Sequence, residues 1–241
     1  MISKERRIIE YKDKGIIKQC TVFDKISDKT EAYIVGIMWA DAGFGLSKSK
    51  YPRMTMNSSN EWLVKAFNDF FIAGKFRKRT RDISITNSQG NEYRYENSVS
   101  YEYCLPSRST LGLISTGIVA LKPDRDIINL SDEFIFQVIL GFFDGDGSIV
   151  VLRRKDCRTP RLNIHIVSGA FNALNFIQKE LNVFGISSSI YSRSEKCKEL
   201  RINNTEHAIK FCEMIYKDLP DFYDKKKKKV FNEYMIECLS Y

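Results

Sequence analysis

Two apolar runs interrupt an otherwise mixed chain, and they share one pattern of side-chain bulk. The longer is Phe134-Ile-Phe-Gln-Val-Ile-Leu-Gly-Phe-Phe-Asp-Gly-Asp-Gly-Ser148, and a fainter copy is Ala32-Tyr-Ile-Val-Gly-Ile-Met-Trp-Ala-Asp-Ala-Gly43. In each run one small residue stands four positions before another: Gly36 and Ala40, then Gly141 and Gly145. On a helix, positions i and i+4 share a face, so each run offers a strip almost without bulk. Each strip ends one residue later in an acid, Asp41 or Asp146. Two such strips can press backbone against backbone, which would set the two aspartates side by side.

The remaining pattern predicts elements in order. Residues 1–29 are polar and mixed in charge, an arm with at most a short helix. The first motif helix is expected from about Thr30 to Asp41, with Thr30 as its N-cap. Residues 48–57 alternate as the second arm of a hairpin. Apolar residues at 62, 63, 66, 67, 70 and 71 mark a helix face, and Gly74 is expected to stop that helix. Residues 75–83 and 91–104 flank Ser88-Gln-Gly90 as a second hairpin. A helix over 108–116 and a link through Lys122-Pro123 lead into the second motif. Tyr93, Tyr95, Tyr101 and Tyr103 alternate on one strand face and read as sheet packing, with groove contact as the second reading.

The order then recurs. Residues 147–152 and 162–167 form a hairpin around a basic loop, and 171–184 form a helix ended by Gly185. Another hairpin joins 189–193 to 199–203, and helices near 205–217 and 224–238 close the chain. Each half reads helix, hairpin, helix, hairpin, helix, and the motif aspartates at 41 and 146 lie 105 residues apart. So long a period signals internal duplication. The expected fold class is α+β: two pseudo-symmetric αββαββα halves, 30–128 and 129–241, with antiparallel hairpin sheets and the two motif helices packed at the centre.

Composition narrows the function. The 241 residues carry a net charge of +8 and a pI near 9.1, which suggests a polyanionic partner, nucleic acid before membrane. No apolar run reaches bilayer length, because Asp144 and Asp146 cut the longest one short. No signal peptide is visible near the start, so a cytoplasmic or organellar and not a secreted protein is expected. The six cysteines show no CxxC pair and read as free thiols in a reducing compartment. His165 and His207 have no paired ligand in view, which argues against a zinc or HNH-type centre. Gly145-Asp-Gly-Ser follows a helix instead of opening one, so no nucleotide-binding loop is read there.

The paired runs resemble the motif of the LAGLIDADG homing endonucleases. Leu140-Gly-Phe-Phe-Asp-Gly-Asp-Gly-Ser148 is close to that consensus. Val35-Gly-Ile-Met-Trp-Ala-Asp-Ala42 keeps the glycine and the last aspartate, with Trp39 at the first acidic position and Ala42 at the final glycine. The lead-in Phe23-Asp-Lys-Ile-Ser-Asp-Lys-Thr-Glu-Ala-Tyr33 is similar to a phage and bacterial branch, and the resemblance spans roughly residues 20–241. It implies a monomeric, site-specific double-strand DNA endonuclease with two or three Mg²⁺ ions, for which Mn²⁺ can substitute. The implied ligands are Asp41 and Asp146 with the backbone of Ala42 and Gly147. It also implies a functional lysine in each half, here Lys122 and Lys226, which lie 81 and 80 residues after their aspartates at 41 and 146. Within Lys225–Lys229 that register is open by about one residue. The family role of Asp144 is structural, and intein splicing blocks are lacking.

Physical chemistry supports that reading independently. A carboxylate at a helix C-terminus faces the negative end of the dipole, unfavourable by roughly 0.3–1 kcal/mol, and two together repel further. A divalent cation reverses the sign, acidifies a water and stabilises charge on the reacting oxygens. The basic residues Lys48, Lys50, Arg53, Arg77, Arg79, Arg81 and Arg94 fall in first-half hairpins. Arg153, Arg154, Arg158, Arg161, Arg193, Lys198 and Arg201 fall in second-half ones. Two hairpin sheets could form a saddle along the major groove, where a β-ribbon fits. Alternation means that only about half of those residues would face DNA. Two other functions suit the same scaffold: an RNA-binding maturase acting on a host intron, and a DNA-binding regulator that has lost catalysis.

Overall fold

In a computed structural model of the chain, residues 8–13, 16–22, 24–46, 52–86, 91–114, 116, 130–153 and 159–239 are described. Their elements in chain order begin with β1 (Ile8–Asp13), β2 (Ile16–Thr21), α1 (Lys29–Asp41), β3 (Ala42–Leu46) and β4 (Pro52–Ser58). Next come α2 (Glu61–Phe71), β5 (Lys75–Thr86), β6 (Glu92–Cys104) and α3 (Ser107–Ile114). After a 3-10 turn at Asp132–Phe134 follow α4 (Ile135–Asp146), β7 (Gly147–Leu152), β8 (Arg161–Ser168) and α5 (Phe171–Val183). The last are β9 (Ser189–Ser194), β10 (Cys197–Ile202), α6 (Thr205–Lys217) and α7 (Lys225–Cys238). The fold is mixed α+β, and all its strand pairings are antiparallel.

Two compact units result: Met1–Val22 with Ala42–Leu111, and Phe23–Asp41 with Gly112–Tyr241. The repeat boundaries at 29/30 and 128/129 follow the order of the chain. The compact units cut it elsewhere, because α1 packs along α4.

The first unit is built on a four-stranded sheet in the order β3-β4-β6-β5. Met54 and Met56 of β4 and Tyr103 of β6 are fully buried, and α2 lays Leu63, Val64, Phe67, Phe70 and Phe71 into the same core. Each large apolar side chain so buried contributes about 1.5–3 kcal/mol relative to exposure. Val64 completes the face expected of Trp62, which stays 45% exposed. The Asn60 side chain caps α2 by accepting from Leu63 N–H. Ile72, not Gly74, takes the left-handed conformation that ends the helix (φ 68°), donating its N–H to Asn68. Gly74 is required for another reason: a Cβ there would run into the Tyr103 ring.

The N-terminal stretch corrects the expectation of an arm with at most a short helix. β1 and β2 form an antiparallel hairpin, anchored at the end of β2. There Cys20 and Thr21 are buried, Thr21 Oγ1 donates to Phe70 O at 2.5 Å, and Ser109 Oγ donates to Thr21 O.

The second unit holds a sheet in the order β7-β8-β10-β9, the same path as the first sheet. Leu162, Ile164 and Ile166 of β8 and Leu200 and Ile202 of β10 alternate onto its covered face. Ala173, Leu174 and Ile177 of α5 and Ala208, Phe211 and Cys212 of α6 are buried with them. Gly185, at φ 69°, follows α5 as expected. The N-cap of α1 is Asp28 and not Thr30: Asp28 Oδ1 accepts from the N–H groups of Thr30 and Glu31, both at 2.8 Å. Glu31 reaches back to Ser27 N–H and Oγ, so the start of α1 is capped two residues earlier than expected. Thr30 Oγ1 instead accepts from Asp221 N–H. The five described cysteines are free thiols. No helix among the described residues is long and apolar enough to cross a membrane.

Candidate active site at the end of the paired helices

Helix α1 is buried on every side from Thr30 to Ala40, and α4 is apolar through Phe143 apart from Gln137. Apolarity all round is the mark of a helix enclosed by protein. Bulk decides how closely the two approach. A Cβ at Gly36 would collide with the Val138 carbonyl oxygen, and one at Gly141 with the Tyr33 carbonyl oxygen. Each glycine therefore sits over a backbone carbonyl of the other helix. At the C-terminal end, a Cβ on Gly145 would lie 2.5 Å from Ala40 Cβ and 3.2 Å from Asp41 Oδ2. The Asp41 carboxylate thus rests against the residue that immediately precedes Asp146. Both aspartates are half-buried, within reach of a ligand.

Lys227 sits at the same place. Its Nζ donates to the carbonyls of Phe143 at 2.6 Å and Asp144 at 2.7 Å, and lies over the Phe143 ring. An ammonium there satisfies carbonyls at the C-terminal end of α4 and meets the negative end of its dipole. Burial pushes the Lys227 pKa down, opposed by Asp144, Asp224, Asp41 and Asp146. Lys226 is exposed, and its N–H is capped by Asp224 Oδ1 at 2.9 Å. Within the window of about one residue, the lysine at the motif is Lys227. Lys122 lies outside the described residues.

Asp144 plays a different part. Burial raises its carboxyl to about 7, against the pull of Lys227, the Asp224 N–H and Tyr33. Its Oδ2 accepts from Tyr33 Oη and from Asp224 N–H, each at 2.9 Å. It therefore ties α4 to α1 and to the start of α7. At the matching place in α1, Trp39 is buried edge-on against Phe142 and Phe176, with ring centroids 5.7 and 5.8 Å away.

The basic residues divide by sheet face. Arg53, Arg77, Arg79 and Arg81 alternate onto the uncovered face of the first sheet. Arg161, Arg193 and Arg201 occupy that of the second. Lys198 points to the other side, over the Phe171 ring of α5. Arg153 pairs with Glu237 of α7 at 2.6 Å, and the exposed Arg94 lies 3.9 Å from Asp82. Lys48, Lys50, Arg154 and Arg158 lie outside the described residues. Ala42 opens β3 and Gly147 opens β7. The tyrosine alternation does not persist as packing: Tyr93 and Tyr95 are 49% and 53% exposed, and Tyr103 is buried. A register shift between Arg81 and Ile83 separates the two ends of the ladder.

Two glutamates were not singled out by pattern. Glu199 is fully buried under Arg193, Arg201 and His165, and Glu102 is buried under Arg79, with Arg53 and Arg77 nearby. The sequence carries a signal only for Glu199, an acid two residues from Arg201 on one strand; Glu102 has no basic residue at that spacing. His207 Nδ1 accepts from Ser187 N–H. Among the described residues no group of three or more His, Cys, Asp or Glu side chains could hold a metal.

Residues 133–216 match the model of the LAGLIDADG-like domain. No curated protein sequence matches the chain. Among solved structures, the LAGLIDADG meganuclease I-AabMI bound to uncleaved DNA is similar, with a TM-score of 0.55 at 11% identity, covering 89% of this chain and 91% of that one. The LAGLIDADG homing endonuclease I-GzeII in complex with its DNA target gives 0.54 at 12%, covering 87% and 91%. The homing endonuclease I-WcaI bound to its DNA recognition sequence gives 0.52 at 14%, covering 85% and 86%. The chain has the fold of these LAGLIDADG structures, and the family-model match lies within its second half.

Proposed function

We propose that this chain of LAGLIDADG fold is a site-specific double-strand DNA endonuclease of the homing type, hydrolysing phosphodiester bonds with a divalent metal held at Asp41 and Asp146. The observation that carries the reading is the glycine-to-carbonyl contact of α1 with α4, which sets the Asp41 carboxylate against Gly145, next to Asp146. Two carboxylates at neighbouring helix C-termini oppose both dipoles and each other.

The donor set fits Mg²⁺ or Mn²⁺: hard carboxylate oxygens, few in number, leaving positions for water and phosphate oxygens. When bound, such an ion supplies an acidified water and charge stabilisation on the attacking and leaving oxygens. The chain's own residues do the rest. Asp41 and Asp146 hold the ion at the end of the helices, one carboxylate for each strand of the duplex. Lys227, anchored on two carbonyls, brings a fixed positive charge to where charge develops on the phosphate. Asp144 holds the helix ends together and takes no part in the chemistry. The arginines on the uncovered sheet faces meet the duplex. The DNA-bound state of I-AabMI, I-GzeII and I-WcaI supports double-stranded DNA as the partner here.

A second reading has one observation in its favour. Trp39 replaces the first acid of one motif, as in a regulator that has lost one catalytic half. The test begins with selection of binding sites from a randomised duplex pool. The enriched site is then placed in a supercoiled plasmid and incubated with and without Mg²⁺. Linear product that needs Mg²⁺ is expected. Nicked circles alone would mean one inactive half, and binding without cutting would mean a regulator.

A further inference from the structure

On the uncovered face of each sheet stands one buried carboxylate, and the ladder registers put the two at equivalent positions. In the second unit, Ser148 follows Asp146 by two residues and pairs with His165. His165 pairs with Arg201, two residues after Glu199. In the first unit, Gly43 follows Asp41 by two residues and pairs with Thr55. Thr55 pairs with Cys104, two residues after Glu102. The same path across three strands ends on a glutamate in both.

Each glutamate gathers basic groups. Glu199 Oε2 accepts from Arg193 Nε at 2.7 Å and Arg201 Nη2 at 2.6 Å. Its Oε1 accepts from Arg193 Nη2 at 2.9 Å and lies 2.8 Å from His165 Nδ1. Glu102 accepts from Arg79 Nη2 at 2.8 Å, with Arg53 and Arg77 at 3.8 and 3.9 Å. The Glu199 side chain has no exposed surface, whereas those of Arg193 and Arg201 are 52% and 35% exposed. The pattern is a covered carboxylate with open guanidiniums above it.

Stability is a poor reason for such a cluster. A buried ion pair is commonly matched or bettered by apolar residues of the same volume. Yet both sheets carry one at the same place. What the carboxylate does supply is orientation. It cancels repulsion between adjacent guanidiniums and fixes Arg193 in a two-bond grip through Nε and Nη2. Arginine reads guanine O6 and N7, or phosphate, through a rigid planar fork, so a fork already held loses less freedom on binding.

Resting on the DNA-endonuclease reading above, we infer that Glu199 and Glu102 are positioning residues for DNA recognition, each presetting the arginines of its sheet without touching DNA itself. The base preference at the positions those arginines meet depends on the carboxylate beneath.

Selection from a randomised duplex pool at fixed salt tests this on the full chain, comparing wild type with Glu199→Gln and Glu102→Gln. Wild type enriches a defined site. Glu199→Gln loses about tenfold of its base preference over one short block, as expected when one bidentate reader is loosened. Glu102→Gln loses preference over a different block, and each variant keeps the rest of the profile. A profile identical to wild type overturns the inference, as does an even weakening at every position, the mark of a purely structural role. Should Glu199→Gln fail to fold, Arg193→Met and Arg201→Met carry the decision. They must flatten one shared block, and separate or absent blocks refute the role. If wild type itself enriches nothing, the endonuclease reading fails first. If wild type selects a site and the glutamate variants select it equally, only the positioning role fails.

Discussion

Helices α1 and α4 meet glycine to carbonyl in the same way on both sides, and differ two residues before the terminal aspartate. There α4 carries Asp144, hydrogen-bonded to Tyr33 and to the start of α7. In its place α1 carries Trp39, packed on Phe142 and Phe176. A polar tie and an aromatic one hold equivalent turns. The comparison shows which parts of the motif are interchangeable. The contact demands glycine, the last acid is common to both helices, and the position between is filled by either kind of anchor. The degenerate first motif is a repacked one: Trp39 fills the place of the missing acid with aromatic contacts.

The contact itself gives the largest effect. Gly141→Val puts side-chain atoms where the Tyr33 carbonyl lies, and is expected to cost more than ~3 kcal/mol, beyond ordinary overpacking. Thermal denaturation would show loss of a cooperative transition, and a melting point near wild type would count against backbone contact. Next comes Trp39→Asp, which restores the consensus acid. It removes a buried aromatic and leaves an unpaired carboxylate in its cavity, at an expected cost of about 3–5 kcal/mol by urea titration. A neutral or stabilising result would mean that the two turns are equivalent in surroundings as well as position.

Smaller effects separate the lysines and the sheets. Lys227→Met is expected to slow plasmid cleavage on the order of 10²-fold, with binding retained, and Lys226→Met to leave the rate within about twofold. Equal losses from both would return the role to the whole lysine run. Glu199 sets an acid limit. Burial alone would raise its pKa, but Arg193, Arg201 and His165 hold it at about 2, below the ordinary 4.5. A lowered carboxylate pKa stabilises fully above pH 4.5 and loses that contribution as pH falls toward 2. Denaturation midpoints taken from pH 6 to pH 2 should fall less steeply in Glu199→Gln than in wild type, and parallel curves would contradict the assignment. The smallest change is Gly45→Ala. Its added Cβ meets nothing within 4 Å, so stability should stay within about 0.5 kcal/mol.

What could be read from the chain follows the range of each signal. The paired strips, α2, α5 and the two closing helices lie within one to two residues of their predicted spans, because their signals are periodic and local. The β1–β2 hairpin was missed because Ile8-Ile9 and Ile16-Ile17 place apolar residues side by side and break the alternation. Its anchors, Phe70 O and Ser109 Oγ, are far away in sequence. Thr30 looked like a cap because threonine is a good one, yet Asp28 stands two residues earlier and reaches two N–H groups. Choosing Lys227 within five consecutive lysines needs the direction of α7 relative to α4, which no local pattern contains. Glu102 and Glu199 are hidden because Arg53, Arg77, Arg79 and Arg193 reach them across strand ladders, and because acids count against a nucleic-acid surface until their burial is known.

The most direct measurement is cleavage of a supercoiled plasmid, bearing the site selected by wild type, with Asp41→Asn and Asp146→Asn in Mg²⁺. The account predicts that each substitution alone reduces linear product by on the order of 10³-fold, while affinity for the duplex stays within about threefold. Linear product at an undiminished rate from both variants would contradict it.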